Sequence, residues 1–205
     1  MEPTFYPELA STIALLEQGF ADIPEQRRQR LAQLADYATN RAGQPVRLNF
    51  ICTHNSRRSH LGMIWAAVAA AHYGLENVHT YSGGTEATAF NPRAVAALKR
   101  AGFRIVSPGG DNPHYRVSFA EGELPLACFS KVYNHPDNPQ QDFAAIMTCS
   151  DADENCPLIS GASFRLPLTY EDPKVADDTP QEGERYDERV AQIGREMLYA
   201  FSLVK

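Results

Sequence analysis

Apolar residues recur along this chain in two alternating patterns, one typical of buried strands and the other typical of helices. Short apolar runs predict strands at 46–53, 78–82 and 143–148. Helical periodicity with matching start and stop residues predicts helices at 8–18, 26–41, 59–73, 92–100 and 186–203. Strands that alternate with helices indicate an α/β fold of three layers, in which a parallel sheet is covered by helices on both faces.

Two segments fall outside this alternation. Residues 1–45 carry the first two helices and predict an N-terminal helical extension. Residues 107–141 are rich in Pro, Gly and Asn, and their alternating stretches at 115–119 and 127–133 predict an inserted hairpin or flap. We therefore expect one catalytic domain over 46–205 that contains this insertion.

Charge and composition narrow the choice of partner. The chain has 205 residues, a net charge of -6 and no long Lys/Arg run, which argues against nucleic acid or an anionic membrane. No stretch approaches the roughly 18 apolar residues of a bilayer span, and the first residues show no basic, apolar leader. A cytoplasmic protein is expected. Its four cysteines are too few for a disulfide scaffold, so each thiol is reactive or inert.

The stretch FICTHNSRRSHLGMIW, from Phe50 to Trp65, passes from a strand through a polar loop into a helix. Such a loop presents backbone N–H groups and the positive end of a helix dipole to one point, which suits an oxyanion. Cys52 opens the loop, where the same field favours the thiolate and makes it a nucleophile. Arg58 follows after five residues and can grip the oxyanion with its planar fork, while Ser59 can hydrogen-bond the thiolate.

The plainer alternative is a core cysteine with two solvated arginines nearby. The strand before the loop and the helix after it favour the catalytic interpretation. His54 and His60 are interpreted as a loop residue and a first-turn helix residue, because no third ligand stands at a spacing that fits a metal. Neither a metal nor another cofactor is expected.

On these residues the chain resembles the low-molecular-weight protein tyrosine phosphatase superfamily, and within it the thioredoxin-coupled arsenate reductases. The resemblance runs from about residue 47 to the C-terminus, apart from the insertion, and implies a four-stranded parallel sheet. It assigns oxyanion binding to Thr53, His54, Asn55, Ser56, Arg57, Arg58 and Ser59. Asn55 stands at the family's loop-bracing asparagine. His54 departs from a frequent glycine, and Arg57 from a frequent cysteine, which could change the choice of substrate.

The segment Glu171-Asp172-Pro173 resembles the family's aspartate-proline pair, which makes Asp172 the candidate general acid. A phosphate ester with a poor leaving group needs such a proton donor close to the bound anion. The alternative is that Asp172 only caps a turn before the proline. Asp177 and Asp178 are expected to be solvated.

Two further cysteines follow the third predicted strand, with six residues between Cys149 and Cys156. Parallel strands deliver their carboxyl ends to one edge, so Cys149 should emerge near Cys52. The segment closely resembles the redox segment of the arsenate reductases. The resemblance implies that Cys52 attacks arsenate, Cys149 attacks Cys52 and expels arsenite, and Cys156 displaces Cys52. Thioredoxin or a similar thiol reductant would then reduce the resulting disulfide.

Two cysteines that are merely part-buried near a turn are the alternative, and Cys128 is interpreted as inert packing. A regular helix from Cys149 to Cys156 would separate the Cα atoms by roughly 10 Å, beyond the roughly 7 Å that a disulfide tolerates. The segment must therefore rearrange on oxidation.

Three functions stay open at this point. Arsenate reduction leads, and hydrolysis of a phosphotyrosine or small phosphate ester needs only Cys52, Arg58 and Asp172. The third is a non-catalytic oxyanion-binding or scaffold protein. The state of assembly is also open, with a homodimer through the N-terminal helices as one alternative.

Overall fold

The protein is described here by a computed structural model that covers residues 3–41, 43–155 and 158–205. Its helices are α1 Pro7–Gln18, α2 Glu25–Thr39, α3 Arg58–His72, α4 Pro92–Arg100, α5 Ser150–Asn155 and α6 Glu182–Ser202. Its strands are β1 Val46–Cys52, β2 Val78–Gly84, β3 Arg104–Val106, β4 Tyr115–Ser118, β5 Leu126–Cys128, β6 Phe143–Met147 and β7 Ala162–Pro167. Within the described ranges, no helix is both long and apolar enough to cross a membrane.

The central sheet has four parallel strands in the order β2-β1-β6-β7. The strand β1 lies in the middle, and its last residue, Cys52, pairs with Gly84 at the end of β2. All residues of β6 are buried, because both faces of the sheet are covered. The predicted α/β class with a four-stranded parallel sheet flanked by helices is confirmed.

Side chains alternate between the two faces of this sheet and form two cores. Phe50 and Ile146 point into the larger core with α3 and α6. Ile51 and Met147 point into a smaller core beneath α5, together with Cys52 and Cys149. Cys52, at the end of β1, and Cys149, just beyond β6, therefore belong to the same core.

The edge strand β7 was not indicated by the apolar pattern. Only Leu166 of this strand is fully buried, and it contains Arg165 and ends at Pro167. An edge strand tolerates proline, because one of its sides needs no ladder hydrogen bond. Its composition therefore lacks the apolar run that marks the inner strands.

The N-terminal helices pack against α6 and contribute Leu9, Ile13, Leu31 and Leu34 to the larger core. The fit is close at Gly102, where an added Cβ would lie 2.4 Å from the backbone nitrogen of Leu9. The backbone of this glycine is also left-handed, with φ of 102°. The extension thus shares the core of the rest of the chain, and the domain boundary after residue 45 stays a prediction.

The insertion contributes β4 and β5 to a second, antiparallel sheet in the order β3-β4-β5, and β3 lies just before the insertion. The predicted stretch 115–119 forms β4, whereas only the start of 127–133 is a strand. Beyond β5 the chain returns to the central sheet, where the N–H of Tyr133 donates to the carbonyl of Gly84 at 2.8 Å. The insertion therefore packs against the end of β2, beside the loop that follows β1.

Candidate active site

The loop between β1 and α3 is held open by hydrogen bonds from its surroundings. Three loop carbonyls accept backbone N–H groups from outside the loop: Cys52 from Thr85 at 3.1 Å, Thr53 from Glu86 at 2.9 Å and Ser56 from Asn91 at 2.8 Å. Because the N–H and C=O of a peptide unit point in opposite directions, these carbonyls turn outward and leave N–H groups facing the loop centre. Such a cradle suits a tetrahedral oxyanion.

Cys52 is almost fully buried at the start of this loop. Its Sγ lies 3.1 Å from the Oγ of Ser59, and that oxygen accepts the amide of Asn55 at 2.8 Å. Since the Ser59 oxygen already accepts one hydrogen bond, its own proton is free to be donated to the sulfur. The arrangement aims a hydrogen-bond donor at the Cys52 sulfur.

Asn55 braces the loop from the inside. It is fully buried, and its backbone is left-handed with φ of 45°, which asparagine tolerates better than most residues. Its side-chain carbonyl accepts the N–H of Lys131 at 2.9 Å. On the other side, a Cβ at Gly84 would lie 2.6 Å from the Thr53 carbonyl, so this position requires glycine.

Arg58 connects the loop 53–57, called the oxyanion loop here after its predicted ligand, to the loop that carries Asp172. One guanidinium nitrogen donates to the backbone carbonyl of Tyr170 at 2.9 Å, and the other to the Asp172 carboxylate at 2.6 Å. The other Asp172 oxygen accepts the N–H of Lys174 at 3.1 Å, at the start of the short 3-10 helix Pro173–Ala176. Asp172 therefore caps a turn and faces the site at the same time.

Arg57, which replaces a frequent cysteine, faces away from solvent into a polar cluster. Its Nε donates to the hydroxyl of Tyr186 at 2.8 Å, and that hydroxyl donates to Asp177 at 2.8 Å. Burial raises the pKa of Tyr186 to about 12. The prediction that Asp177 is solvated is wrong, since its side chain is only 16% exposed, whereas that of Asp178 is 86% exposed. A largely buried arginine needs such an anion, but the burial of Arg57 appears only in the fold, so the sequence carries no signal that identifies Asp177.

The two histidines near the loop have different environments. The Nε2 of His54 lies 2.8 Å from a Glu86 carboxylate oxygen at the exposed rim. His60 is fully buried, stacks on Phe90 and lies 3.2 Å from the Ser82 hydroxyl. Burial lowers the pKa of His60 to about 3. Within the part of the chain that the structure describes, no group of three or more His, Cys, Asp or Glu could hold a metal.

Cys149 lies directly beside the oxyanion loop. Its buried Sγ is 3.4 Å from the hydroxyl of Thr53, the residue after Cys52, and accepts the N–H of Ala152 at 3.4 Å. Cys156, the second cysteine of the predicted relay, lies outside the described residues. Cys128 is fully buried in the larger core, and burial raises its pKa to about 12. The geometry thus brings Cys52 and Cys149 to one edge and keeps Cys128 in the core.

Comparison with known proteins agrees with this site. Residues 47–109 match the family model of low molecular weight phosphotyrosine protein phosphatase. An arsenate reductase of Bacillus licheniformis is 29% identical over 75% of this chain and 92% of its own length. An arsenate reductase of Bacillus subtilis is 28% identical over 72% of this chain and 89% of its own length.

Solved structures give a weaker likeness. A low-molecular-weight phosphotyrosine phosphatase of Vibrio cholerae matches with a TM-score of 0.48 and 13% identity, over 75% of this chain and 93% of its own. An arsenate reductase in the phosphate-binding state matches with a TM-score of 0.46 and 16% identity, over 78% of this chain and 99% of its own.

A thiol set in an amide cradle, followed by an arginine at the helix start, defines a class of enzymes that work through cysteine. Over residues 47–109 the chain is similar to the low-molecular-weight protein tyrosine phosphatase superfamily. Within this superfamily it is similar to arsenate reductases. It is a cysteine-based enzyme of the arsenate reductase or phosphatase kind.

Proposed function

We propose that the protein is a thiol-based arsenate reductase in which Cys52 attacks the oxyanion and Cys149 and Cys156 relay the electrons. The single observation that carries this proposal is the buried Cys149 thiol, 3.4 Å from the hydroxyl of the residue after Cys52. A phosphatase has no use for a second thiol at this position. A reductase requires one, because the two electrons for arsenate must come from sulfur.

In the first step arsenate occupies the amide cradle, with Arg58 as the charge clamp. The Cys52 sulfur forms a bond to arsenic, and one arsenate oxygen leaves as water. Asp172, which lies 2.6 Å from Arg58, supplies the proton for this leaving oxygen in the proposed mechanism. The product of this step is a Cys52 thioester of arsenate, still at the oxidation state of arsenic(V).

In the second step the Cys149 thiolate attacks the Cys52 sulfur. The sulfur–arsenic bond breaks and its electron pair stays on arsenic, so arsenite leaves and a Cys52–Cys149 disulfide forms. Cys156 then attacks Cys149 and releases Cys52 as a thiolate. The sum is the oxidation of two thiols to one disulfide and the reduction of arsenate to arsenite.

The last exchange requires the helix α5 to change shape. It spans Ser150–Asn155, between the two cysteines, and a helical separation of roughly 10 Å is too long for a disulfide. A helix of six residues is marginal on its own, so unwinding it costs little. A dithiol protein of the thioredoxin class would then reduce the disulfide, which suits a reducing cytoplasm.

The second candidate function is hydrolysis of phosphate monoesters through a phosphocysteine. It is favoured by one observation, that Arg58 and Asp172 form a direct ion pair at the entrance of the Cys52 loop. These three side chains suffice for a phosphatase, with Asp172 protonating the leaving oxygen and water clearing the phosphocysteine.

The test compares thioredoxin-driven arsenate reduction with hydrolysis of p-nitrophenyl phosphate. Cys52→Ser should show neither activity, yet should still bind phosphate in calorimetry, because the amide cradle and Arg58 remain. Cys149→Ser should lose repeated arsenate turnover but retain p-nitrophenyl phosphate hydrolysis close to the wild-type rate. Arsenate turnover that persists in Cys149→Ser would leave the phosphatase as the better assignment.

A further inference from the structure

The N-terminal helix α2 reaches the interior of the protein through one charged side chain. The Nε of Arg27 donates to a Glu196 carboxylate oxygen of α6 at 2.8 Å. Their side chains are only 15% and 4% exposed, so the pair is largely shielded from water. The other Glu196 oxygen accepts the amide of Gln192 at 3.1 Å. A buried ion pair of this kind fixes the position of both elements.

The same guanidinium covers an aromatic ring next to the active site. The central carbon of the Arg27 guanidinium lies 4.5 Å from the ring centroid of Tyr170, a residue that is 6% exposed. Burial raises the pKa of the Tyr170 phenol well above its usual range, so this ring stays neutral. The contact is a cation–π interaction in a desolvated place, where such contacts are strongest.

The backbone of Tyr170 then joins this cluster to the site. Its N–H donates to the carbonyl of Thr148 at 3.1 Å, next to Cys149. Its carbonyl accepts one nitrogen of Arg58 at 2.9 Å, while the other nitrogen of Arg58 contacts Asp172 two residues further on. A shift of Tyr170 would therefore displace the charge clamp and the acid together.

We propose that Arg27 is a positioning residue for the active site and that the N-terminal helices hold the acid loop in place through it. The helix α2 lies outside residues 47–109, where the family model matches. The substrates used in the test are chosen on the basis of the proposed function. The contacts from Arg27 through Tyr170 to Arg58 are independent of that function.

Arg27→Met keeps the apolar stem and removes the guanidinium. We expect the dissociation constant for inorganic phosphate to rise about tenfold, because Arg58 loses a fixed anchor. Hydrolysis of phenyl phosphate, a poor leaving group, should fall roughly tenfold further than that of p-nitrophenyl phosphate, because misplacement of Asp172 affects only the ester that needs a proton.

The matched control is Arg28→Met on the same helix. Arg28 pairs with Glu25, one turn earlier, and both side chains are partly exposed. This variant should bind phosphate and hydrolyse both esters at the wild-type level. A loss equal to that of Arg27→Met would show that any change in α2 acts through general destabilisation and would overturn the proposal.

Because Arg27→Met leaves a buried carboxylate, a second variant, Arg27→Met with Glu196→Met, removes both charges and should restore the melting temperature. If Arg27 positions Tyr170, the double variant should be as stable as the wild type. It should still bind phosphate as weakly as Arg27→Met does, and it should still hydrolyse phenyl phosphate disproportionately slowly compared with p-nitrophenyl phosphate. Wild-type affinity and leaving-group dependence in a stable double variant would overturn the proposal. A wild type that hydrolyses esters but reduces no arsenate would overturn only the proposed reductase function, since phosphate affinity reports on positioning independently.

Discussion

Asn55 offers a sharp test of how the oxyanion loop is built, through its replacement by alanine and by glycine. The side chain donates to Ser59 at 2.8 Å and accepts the N–H of Lys131 at 2.9 Å, and no part of it reaches solvent. The backbone is left-handed, with φ of 45°. Alanine removes both hydrogen bonds and also strains the backbone, whereas glycine removes only the hydrogen bonds.

The loss can be estimated from these contacts. A buried N–H of Lys131 left without a partner costs about 1–3 kcal/mol, and the lost bond to Ser59 costs about 1 kcal/mol. Alanine in the left-handed region adds about 1–2 kcal/mol. We therefore expect Asn55→Ala to lower the free energy of unfolding by about 3–6 kcal/mol. Asn55→Gly should be about 1 kcal/mol less destabilised than Asn55→Ala.

Urea unfolding followed by fluorescence measures these values directly, because the chain has one tryptophan, Trp65, and it is fully buried beside Phe103. Both variants should also hydrolyse p-nitrophenyl phosphate more slowly, since Ser59 is no longer oriented towards Cys52. A loss below about 1 kcal/mol in Asn55→Ala, or a glycine variant less stable than the alanine variant, would refute this reasoning.

Three further predictions concern neighbouring residues. Asp172→Asn should slow the hydrolysis of phenyl phosphate far more than that of p-nitrophenyl phosphate in steady-state assays; equal losses would reduce Asp172 to a turn residue. Gly84→Ala should abolish phosphate binding in calorimetry, because the new Cβ would lie 2.4 Å from the Glu86 carbonyl and 2.6 Å from that of Thr53; retained binding would contradict the close fit. The pKa of His60 is about 3 in the folded protein and 6.5 ordinarily. Between these pH values the imidazole is protonated in the unfolded chain but not in the folded one. The free energy of unfolding should therefore fall as the pH drops from about 6.5 towards 3. Urea midpoints from pH 7 to about pH 4 should therefore change less in His60→Gln than in the wild type, and equal slopes would count against this assignment.

The strand-loop-helix unit around Cys52 could be predicted from the sequence because its geometry is local. Cys52, Arg58 and Ser59 lie within one strand-loop-helix unit, and the strand is buried on both faces, so its apolar run is unmistakable. The parallel order of the strands also brought Cys149 to the same edge as Cys52, as expected from topology alone.

The missed features depend on contacts between distant parts of the chain. The partly exposed edge strand β7 has no apolar run, so periodicity could not mark it. One partner of Arg57 is Asp177, 120 residues away, and a carboxylate next to another aspartate resembles a solvated one until the arginine is placed. The role of Arg27 was also invisible in the sequence, because its partner Glu196 is 169 residues away.

The central claim is that Cys149 and Cys156 supply the two electrons that reduce the arsenate bound to Cys52, and mass spectrometry of the thiols after a single arsenate turnover without reductant tests it most directly. The wild type should contain a Cys149–Cys156 disulfide with Cys52 free, and Cys156→Ser should instead trap a Cys52–Cys149 disulfide. Cys128→Ala is the control, since this buried thiol should change neither pattern. Arsenite formed in stoichiometric amount while Cys149 stays a free thiol would contradict the relay.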